Sequence, residues 1–242
     1  MKKLFALAAI AIAVGAHAQD FPGGKSITIV VPFAAGGPTD RVARDLAEAL
    51  RKPLGGGTVI IDNVPGAGSS IGAANLPFKV ETDFEYLGIV NDVPMTLISK
   101  PSIPATNYKE LTTWIASNKG KINIGNAGVG SASHLCGLLY QSATKTEMTA
   151  VPYKGTAPAI TDLIGGQIDL LCDQTTNTTP QIQAGKVKAF AVTTPKRLAL
   201  PMLKDLPTLD EAGLKNFQVT IWHGLYAPKG TPAPVLKQLN DA

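Results

Sequence analysis

Glycine and small hydroxyl residues are concentrated at two points where an apolar stretch passes into a helix. The first is residues 33–40 (FAAGGPTD), which follow a β-branched stretch, and the second is residues 130–134 (GSASH). Glycines lack Cβ atoms, so backbone N–H groups there can come close to a bound group. The first N–H groups of a helix have no partner within it, and they favour an anion. Both stretches therefore predict loops that bind a small anion.

A third polar stretch follows the apolar residues 168–172 (IDLLC). Asp173, Gln174 and Thr175 open it, and further threonines follow. We interpret it as a polar loop at the end of a buried strand, suited to polar or water-bridged groups of a ligand. The alternative is an ordinary solvated loop.

Residues 64–74 (VPGAGSSIGAA) repeat the order of strand, glycines and short helix. Their glycine spacing resembles a dinucleotide-binding fingerprint, but the acidic residue expected about 20 positions later is not clearly present. We therefore predict no nucleotide cofactor, and indeed no cofactor at all.

Catalysis would need a nucleophile beside a base, and the candidates are Ser131, Ser133, His134 and Cys136. His134 and Cys136 are two residues apart, so they would point to different sides of a helix. We therefore predict that the protein is not an enzyme and that His134 caps the helix or faces a hinge. His223 is interpreted as packed or as lying between domains. An exported hydrolase using Ser131 or Cys136 is the alternative.

Strands and helices alternate along the chain in both halves, which predicts an α/β fold. Residues 84–99 are predicted to form two strands, interrupted at residues 91–94 (NDVP). The helix after Gly130 is predicted to bury Leu135, Leu138 and Leu139. Glycine loops in each half, facing each other across a cleft, would hold the two ends of one small acid. The pattern is typical of a binding protein that closes on its ligand.

The N-terminal residues 1–18 have the features of a secretory signal peptide. Two lysines precede an apolar run, and Ala16-His17-Ala18 offers a cleavage site. The run is shorter than the roughly 20 residues needed to span a bilayer. We therefore expect an exported protein.

The charge of the chain argues against nucleic acid. Removal of Lys2 and Lys3 would leave 22 − 2 = 20 basic residues against 18 acidic ones, a net charge of +2. The basic residues are scattered along the sequence, so we expect no nucleic-acid partner.

The two cysteines, Cys136 and Cys172, would meet an oxidising compartment after export. One disulfide is expected, and two buried free thiols are the alternative. Two distant cysteines and three histidines do not make a metal site.

Several ordered motifs resemble those of the Bug-type, TctC-like solute receptors of tripartite tricarboxylate transporters. They are VVPFAAGGPTD, DNVPGAGSSIGA, NAGVGSASHL, VPYKG, DLLCDQTTNTTPQI and AGKVKAFAVTT. The resemblance implies a two-domain periplasmic-binding-protein fold, type II-like, with mixed sheets flanked by helices and a ligand cleft between the domains. Domain 1 would comprise residues 19–99 plus 221–242, and domain 2 residues 100–220. Relative to the family, a strand and loop near residue 75 and the C-terminal helices of domain 1 are expected to be missing.

The resemblance also implies the function. A small carboxylate, either an amino acid or a di- or tricarboxylate, would be captured in the periplasm by domain closure and delivered to the membrane permease of a tripartite tricarboxylate transporter. A ligand-sensing module for a signalling partner is the alternative. The ligand-binding residues carried over by motif are Phe33, Ala34, Ala35, Gly36, Gly37, Pro38, Thr39, Asp40, Gly66, Ala67, Gly68, Ser69, Gly130, Ser131, Ala132, Ser133, His134, Asp173, Gln174 and Thr175.

Overall fold

The computed structural model describes residues 21–65, 79 and 82–242 and shows a mixed α/β structure. The helices in this part of the chain are α1 (Pro38–Arg51), α2 (Tyr108–Ser117), α3 (Ala132–Thr144), α4 (Thr156–Ile164), α5 (Thr175–Gln183) and α6 (Ala233–Asp241). The strands are β1 (Ile27–Val31), β2 (Val59–Asn63), β3 (Phe84–Ser99), β4 (Asn123–Asn126), β5 (Thr149–Pro152), β6 (Leu170–Gln174), β7 (Lys188–Val192) and β8 (Thr220–Pro228). The signal-peptide prediction and the expected gap near residue 75 fall outside the described residues.

The strands form two sheets that lie on opposite sides of the cleft described below. β1 and β2 pair in parallel, with Ile27 opposite Val59, and α1 connects them as a crossover helix. The larger sheet has the order β5-β4-β6-β3-β7. Within it β4 runs parallel to β5 and β6, whereas β3 runs antiparallel to β6 and β7. The loops that line this cleft follow the carboxyl ends of β1, β4, β5 and β6, which is where open α/β sheets bind ligands.

Strand β3 is continuous over Phe84–Ser99, so the prediction of two strands interrupted at residues 91–94 is wrong. Its first part pairs with β8 as an antiparallel ribbon that ends at Pro94 opposite Thr220. From Met95 onward it pairs with β6 and β7 instead. Proline removes only one N–H from a ladder, and Pro94 stands where β3 changes partners. The break in the sequence pattern therefore marks a change of sheet and not the end of a strand.

Helix α3 packs on the larger sheet through a different face from the one predicted. Its buried residues are Ser133, Cys136, Gly137 and Tyr140. The predicted apolar face is wrong: Leu135, Leu138 and Leu139 are each about half exposed. Tyr140, which is fully buried in the core, and the disulfide of Cys136 fix the rotation of the helix about its axis.

The polar stretch after β6 is also different from its prediction. It forms helix α5, which begins directly at Thr175, and not a loop. Threonine and asparagine are weak helix formers, but here tertiary hydrogen bonds compensate. Thr178 Oγ1 lies 2.6 Å from Thr96 Oγ1 of β3, and both residues are buried. In the described ranges, no helix combines the length and apolar character needed to cross a membrane.

Candidate ligand-binding cleft

A narrow cleft lies between the loop that follows β1 and the strand ends of the larger sheet. Its cavity volume is about 20 Å³, so the two sides lie close together in this structure. The residues that line it are Phe33, Gly37, Pro38, Thr39, Met95, Ala127, Ser131, Ala132, Ser133, Thr156, Asp173, Gln174 and Ile221. Most of these are polar residues or belong to the loops that start helices.

Four helices begin at this cleft. Residues of their first turns or N-caps line it: Pro38 for α1, Ala132 for α3, Thr156 for α4 and Gln174 for α5. The first N–H groups of a helix lack intrahelical partners and act as a partial positive charge. Convergence of several such ends in one cleft makes it electrostatically favourable to anions, although none of the described residues that line it is a lysine.

Two serines at the start of α3 leave one hydroxyl proton available to a ligand. Ser131 Oγ accepts from His134 N at 3.3 Å, and Ser133 Oγ accepts from Ala127 N at 2.8 Å. The two hydroxyl oxygens are 3.1 Å apart, so one donates to the other. Whichever donates, the second O–H has no partner among the described residues. This side of the cleft is therefore a wall of hydrogen-bond donors.

The loop after β1 is held in shape by Asp40, which is 2% exposed. Its carboxylate accepts from Gly36 N at 2.9 Å, from Asn63 Nδ2 at 3.0 Å and from two Arg44 nitrogens at 2.9 Å. Burial would raise the pKa of Asp40, but the hydrogen bonds from Arg44, Gly36 and Asn63 outweigh burial and lower it. Asp40 was predicted to contact the ligand, but its carboxylate is used to position the loop.

Asp173 and Gln174 end β6 at the opposite wall of the cleft. Asp173 is 1% exposed and accepts a 2.6 Å hydrogen bond from Asn177 Nδ2. Burial raises the pKa of Asp173 to about 6, against smaller opposing effects of Asn177, the Gln174 backbone, Thr156 and Arg41. Gln174 is 4% exposed, and its Oε1 has no hydrogen-bond partner in the described structure. This corner of the cleft is rich in acceptors.

Direct contacts connect the two sides of the cleft. Ala34 N donates to Lys154 O at 2.9 Å, and Arg41 Nη1 donates to Thr176 O at 3.1 Å. Gly155 has a φ of +131°, and a Cβ there would lie 3.2 Å from Ala34 N. The two sides therefore touch at Gly155, where an added Cβ would crowd the backbone of Ala34.

Histidine 223 belongs to the ribbon that joins the two sides. Its Nδ1 lies 2.6 Å from Asn91 Oδ1, and its Nε2 lies 3.3 Å from Thr39 Oγ1. Burial lowers the pKa of His223. The interpretation of this residue as packed between structural units agrees with these contacts.

The structure brings nine of the predicted residues to the cleft wall: Phe33, Gly37, Pro38, Thr39, Ser131, Ala132, Ser133, Asp173 and Gln174. It leaves seven predicted residues off the wall: Ala34, Ala35, Gly36, Asp40, Gly130, His134 and Thr175. The predicted residues Gly66, Ala67, Gly68 and Ser69 lie outside the described residues. His134 Nδ1 accepts from Gly130 N at 3.2 Å, which supports its interpretation as a capping residue.

Sequence reasoning missed Thr156, Met95, Ala127 and Ile221 as lining residues. The signal for Thr156 was present, because VPYKGT repeats the order of strand, glycine and helix start. The other three are apolar or small residues on or beside strands that reach the cleft, and no local motif marks them.

The expected disulfide is confirmed: Cys136 of α3 and Cys172 of β6 are bonded, with their Cα atoms 6.2 Å apart. Cys136 is therefore not a free thiol, which removes one of the two nucleophiles of the hydrolase alternative. The bond also joins the element that carries the serine pair to the strand that carries Asp173.

Residues 73–242 match the TctC family, described as "Tripartite tricarboxylate transporter family receptor". The structure is similar to that of the periplasmic binding protein BugD, with 48% identity and a TM-score of 0.83 over 88% of this chain and 80% of BugD.

Two further solved structures contain ligands. MatC (Rpa3494) from Rhodopseudomonas palustris with bound malate is 34% identical, with a TM-score of 0.82 over 89% of this chain and 82% of MatC. R. palustris Rpa4515 with adipate is 32% identical, with a TM-score of 0.84 over 89% of this chain and 81% of Rpa4515. These relatives are binding receptors and not enzymes, and their similarity confirms the expected two-domain periplasmic-binding-protein fold. The chain belongs to the TctC family of tripartite tricarboxylate transporter receptors.

Proposed function

We propose that this receptor binds a small carboxylate in the periplasm and presents it to the membrane permease of a tripartite tricarboxylate transporter. The observation that carries the proposal is the convergence of the starts of α1, α3, α4 and α5 on one cleft. The malate and adipate bound by two relatives support it, because both ligands are dicarboxylates. A secretory signal at residues 1–18 would place the receptor in the periplasm.

The donor wall has the capacity for such a ligand. Hydrogen bonds to a charged group contribute about 1.5 to 3 kcal/mol each. Three or four of them exceed the roughly 8 kcal/mol of micromolar binding and leave room for the cost of ordering. Backbone N–H groups and one serine O–H can supply that number without any charged side chain.

Closure of two lobes would complete the binding. The proposed lobes are residues 19–99 plus 221–242 and residues 100–220, and the β3–β8 ribbon connects them. The contacts between Ala34 and Lys154 and between Arg41 and Thr176 would form as the cleft shuts. A ligand that contacts both walls favours the closed form, and the permease would recognise that form.

Isothermal titration calorimetry of the exported form of the chain against a panel of small carboxylates tests the proposal. At least one carboxylate is expected to bind, and Ser133→Ala should weaken it about tenfold because the serine pair loses its donor arrangement. The control is Ser102→Ala at an exposed serine, which should leave the affinity unchanged. If no mono-, di- or tricarboxylate produced heat, the receptor function would be refuted.

A further inference from the structure

The cleft contains a buried acceptor that nothing in the described structure satisfies. Gln174 is 4% exposed, lines the cleft, and its Oε1 has no hydrogen-bond partner. Its side chain does not cap α5, so the position of Gln174 at the helix start does not explain its burial. A buried acceptor without a partner costs about 1 to 3 kcal/mol, and native proteins contain few of them. Such a group is expected where a ligand supplies the missing donor.

The neighbouring Asp173 adds a second acceptor at the same corner. Its carboxylate accepts a 2.6 Å hydrogen bond from Asn177 and has weaker interactions with the Gln174 N–H and the Thr156 hydroxyl, whereas a carboxylate has capacity for about four hydrogen bonds. In the described part of the chain, none of the ion pairs involves Asp173. The charge of Arg41 stabilises the ionised form of Asp173. The Arg41 guanidinium itself donates to the carbonyl oxygens of Thr176 and Gly36.

The acceptor corner and the donor wall make the cleft chemically asymmetric. The start of α3 offers a serine O–H and the first backbone N–H groups of the helix, those of Ala132 and Ser133, which suit a carboxylate. Ser131 N itself donates to Gly128 O. Asp173 and Gln174 repel a second carboxylate and require a donor. A metal ion does not explain the corner, because the described residues contain no group of three or more metal-binding side chains.

We propose that Asp173 and Gln174 form an acceptor subsite that selects carboxylates bearing a nearby hydrogen-bond donor, a hydroxyl or an ammonium group, over the same carboxylates without one. The inference rests on the proposed function, since it specifies the ligand of that cleft. The relatives do not decide the matter: malate carries a hydroxyl and adipate carries none, and each was found in a different receptor. A site built to bond a donor discriminates strongly, because the analogue leaves buried acceptors unpaired.

Matched ligand series test the subsite by calorimetry on the exported form of the chain. The series are propionate, lactate and alanine; succinate, malate and aspartate; and glutarate, 2-hydroxyglutarate and glutamate. Within a series that binds, the plain acid should be at least tenfold weaker than the better of its hydroxy and amino forms. The amino form binding more tightly than the hydroxy form would assign the donor as ammonium, and the reverse as hydroxyl; both support the subsite.

Variants separate the subsite from a general role in folding. Gln174→Met keeps the length of the side chain and removes its acceptor, so the preference for the donor-bearing acid over the plain acid should fall below about threefold. Gln183→Met, at an exposed glutamine of the same helix, should leave the preference intact. Asp173→Asn serves as a second, nearly isosteric variant, with thermal unfolding confirming that each variant is folded.

The outcomes distinguish the acceptor subsite from the receptor function. If plain and donor-bearing acids bind the wild-type protein equally, or if both variants leave the preference unchanged, the acceptor subsite is refuted and the receptor function stands. If no acid in any series binds, and a wider carboxylate panel also fails, both are refuted.

Discussion

Asp40 and Asp173 lie on opposite sides of the same cleft and are almost equally buried, at 2% and 1% exposure. Burial alone would raise the pKa of both carboxyl groups, yet the pKa of Asp40 is lowered and that of Asp173 is raised to about 6. The difference is in their partners. Asp40 accepts bonds from Arg44, Gly36 and Asn63, whereas Asp173 has Asn177 and weaker neighbours.

The comparison separates Asp40, a structural acid, from Asp173, the acid that we propose to be functional. A carboxylate whose lone pairs are filled by the protein stabilises the fold and has little left for a ligand. One that is buried with unused capacity destabilises the fold, and such groups are concentrated at functional sites. Asp40 therefore shapes the loop at residues 33–37, whereas Asp173 has the unused capacity that the proposed acceptor subsite requires.

The largest expected effect concerns the covalent support of the Asp173 side. Replacing both cysteines, Cys136→Ala with Cys172→Ala, removes a link between residues 36 positions apart, and chain-entropy arguments give a loss of about 4 kcal/mol in unfolding free energy. Denaturant titration measures the loss. Hydrogen exchange should increase near Asp173 and remain unchanged around Asp40; equal increases on both sides would contradict the separation of the two supports.

Asp40→Ala removes the carboxylate that supports the loop after β1. It removes four hydrogen bonds to a buried acceptor. We expect the free energy of unfolding to fall by about 3 kcal/mol. The loss is not larger because Arg44 is half exposed and its ion pair contributes little. Ligand affinity should fall as well, since the loop after β1 loses its support. Asp45→Ala, at an exposed position of the same helix, is the control. Unfolding within 1 kcal/mol of wild type would show that Asp40 is not the support of the loop.

Asp173→Asn tests the functional acid through the pH dependence of stability. The folded pKa of about 6 lies above the ordinary 3.8, so the folded state binds the proton more tightly and stability falls as pH rises from about 4 to 6. The rise of about two in the pKa of Asp173 corresponds to about 2 to 3 kcal/mol in the free energy of unfolding. The groups that face the carboxyl are Asn177, Thr156 and Arg41.

The variant should lose less stability than wild type across that pH range, whatever constant offset the lost bond to Asn177 introduces. Thermal or denaturant unfolding at pH 4, 5, 6 and 7.5 measures the difference. Asp62→Asn, at an exposed residue, controls for the removal of one negative charge. Parallel curves for wild type and Asp173→Asn would show that Asp173 carries no such penalty.

Much of the fold and part of the cleft could be predicted from the sequence, because local signals specify them. The glycines and the small residues before α1 and α3 mark helix starts, and two cysteines in a chain with the features of an exported protein indicated the disulfide. The α/β order followed from the alternation of apolar strands and amphipathic helices.

What could not be predicted depends on long-range packing. The stripe of Leu135, Leu138 and Leu139 has helical spacing, but the disulfide of Cys136 turned another face inward. The helical state of residues 175–183 depends on bonds such as that between Thr96 and Thr178, and these are far apart in sequence. Local pattern also could not distinguish Asp40 from Asp173, since both are acids in polar stretches that follow an apolar run, and they differ in the partners that the fold brings to them.

The smallest expected effect concerns the contact between the two sides. Gly155→Ala would place a Cβ 3.2 Å from Ala34 N at the point where Lys154 O accepts from that N–H. If the cleft opens as proposed, this contact belongs to the closed form, so the substitution should weaken ligand binding by about tenfold, equivalent to about 1.4 kcal/mol. The alanine also strains the backbone, because φ is +131°.

Gly185→Ala separates the two causes. Gly185 has a φ of +65° with nothing within 4 Å of a Cβ, so its variant carries backbone strain without obstructing the cleft. It should lower the unfolding free energy by about 1 kcal/mol and leave ligand affinity unchanged. If Gly155→Ala, like Gly185→Ala, lowered stability and left ligand affinity unchanged, the contact between Ala34 and Lys154 would be a fixed part of the fold. The Asp40 and Asp173 sides would then behave as one rigid body.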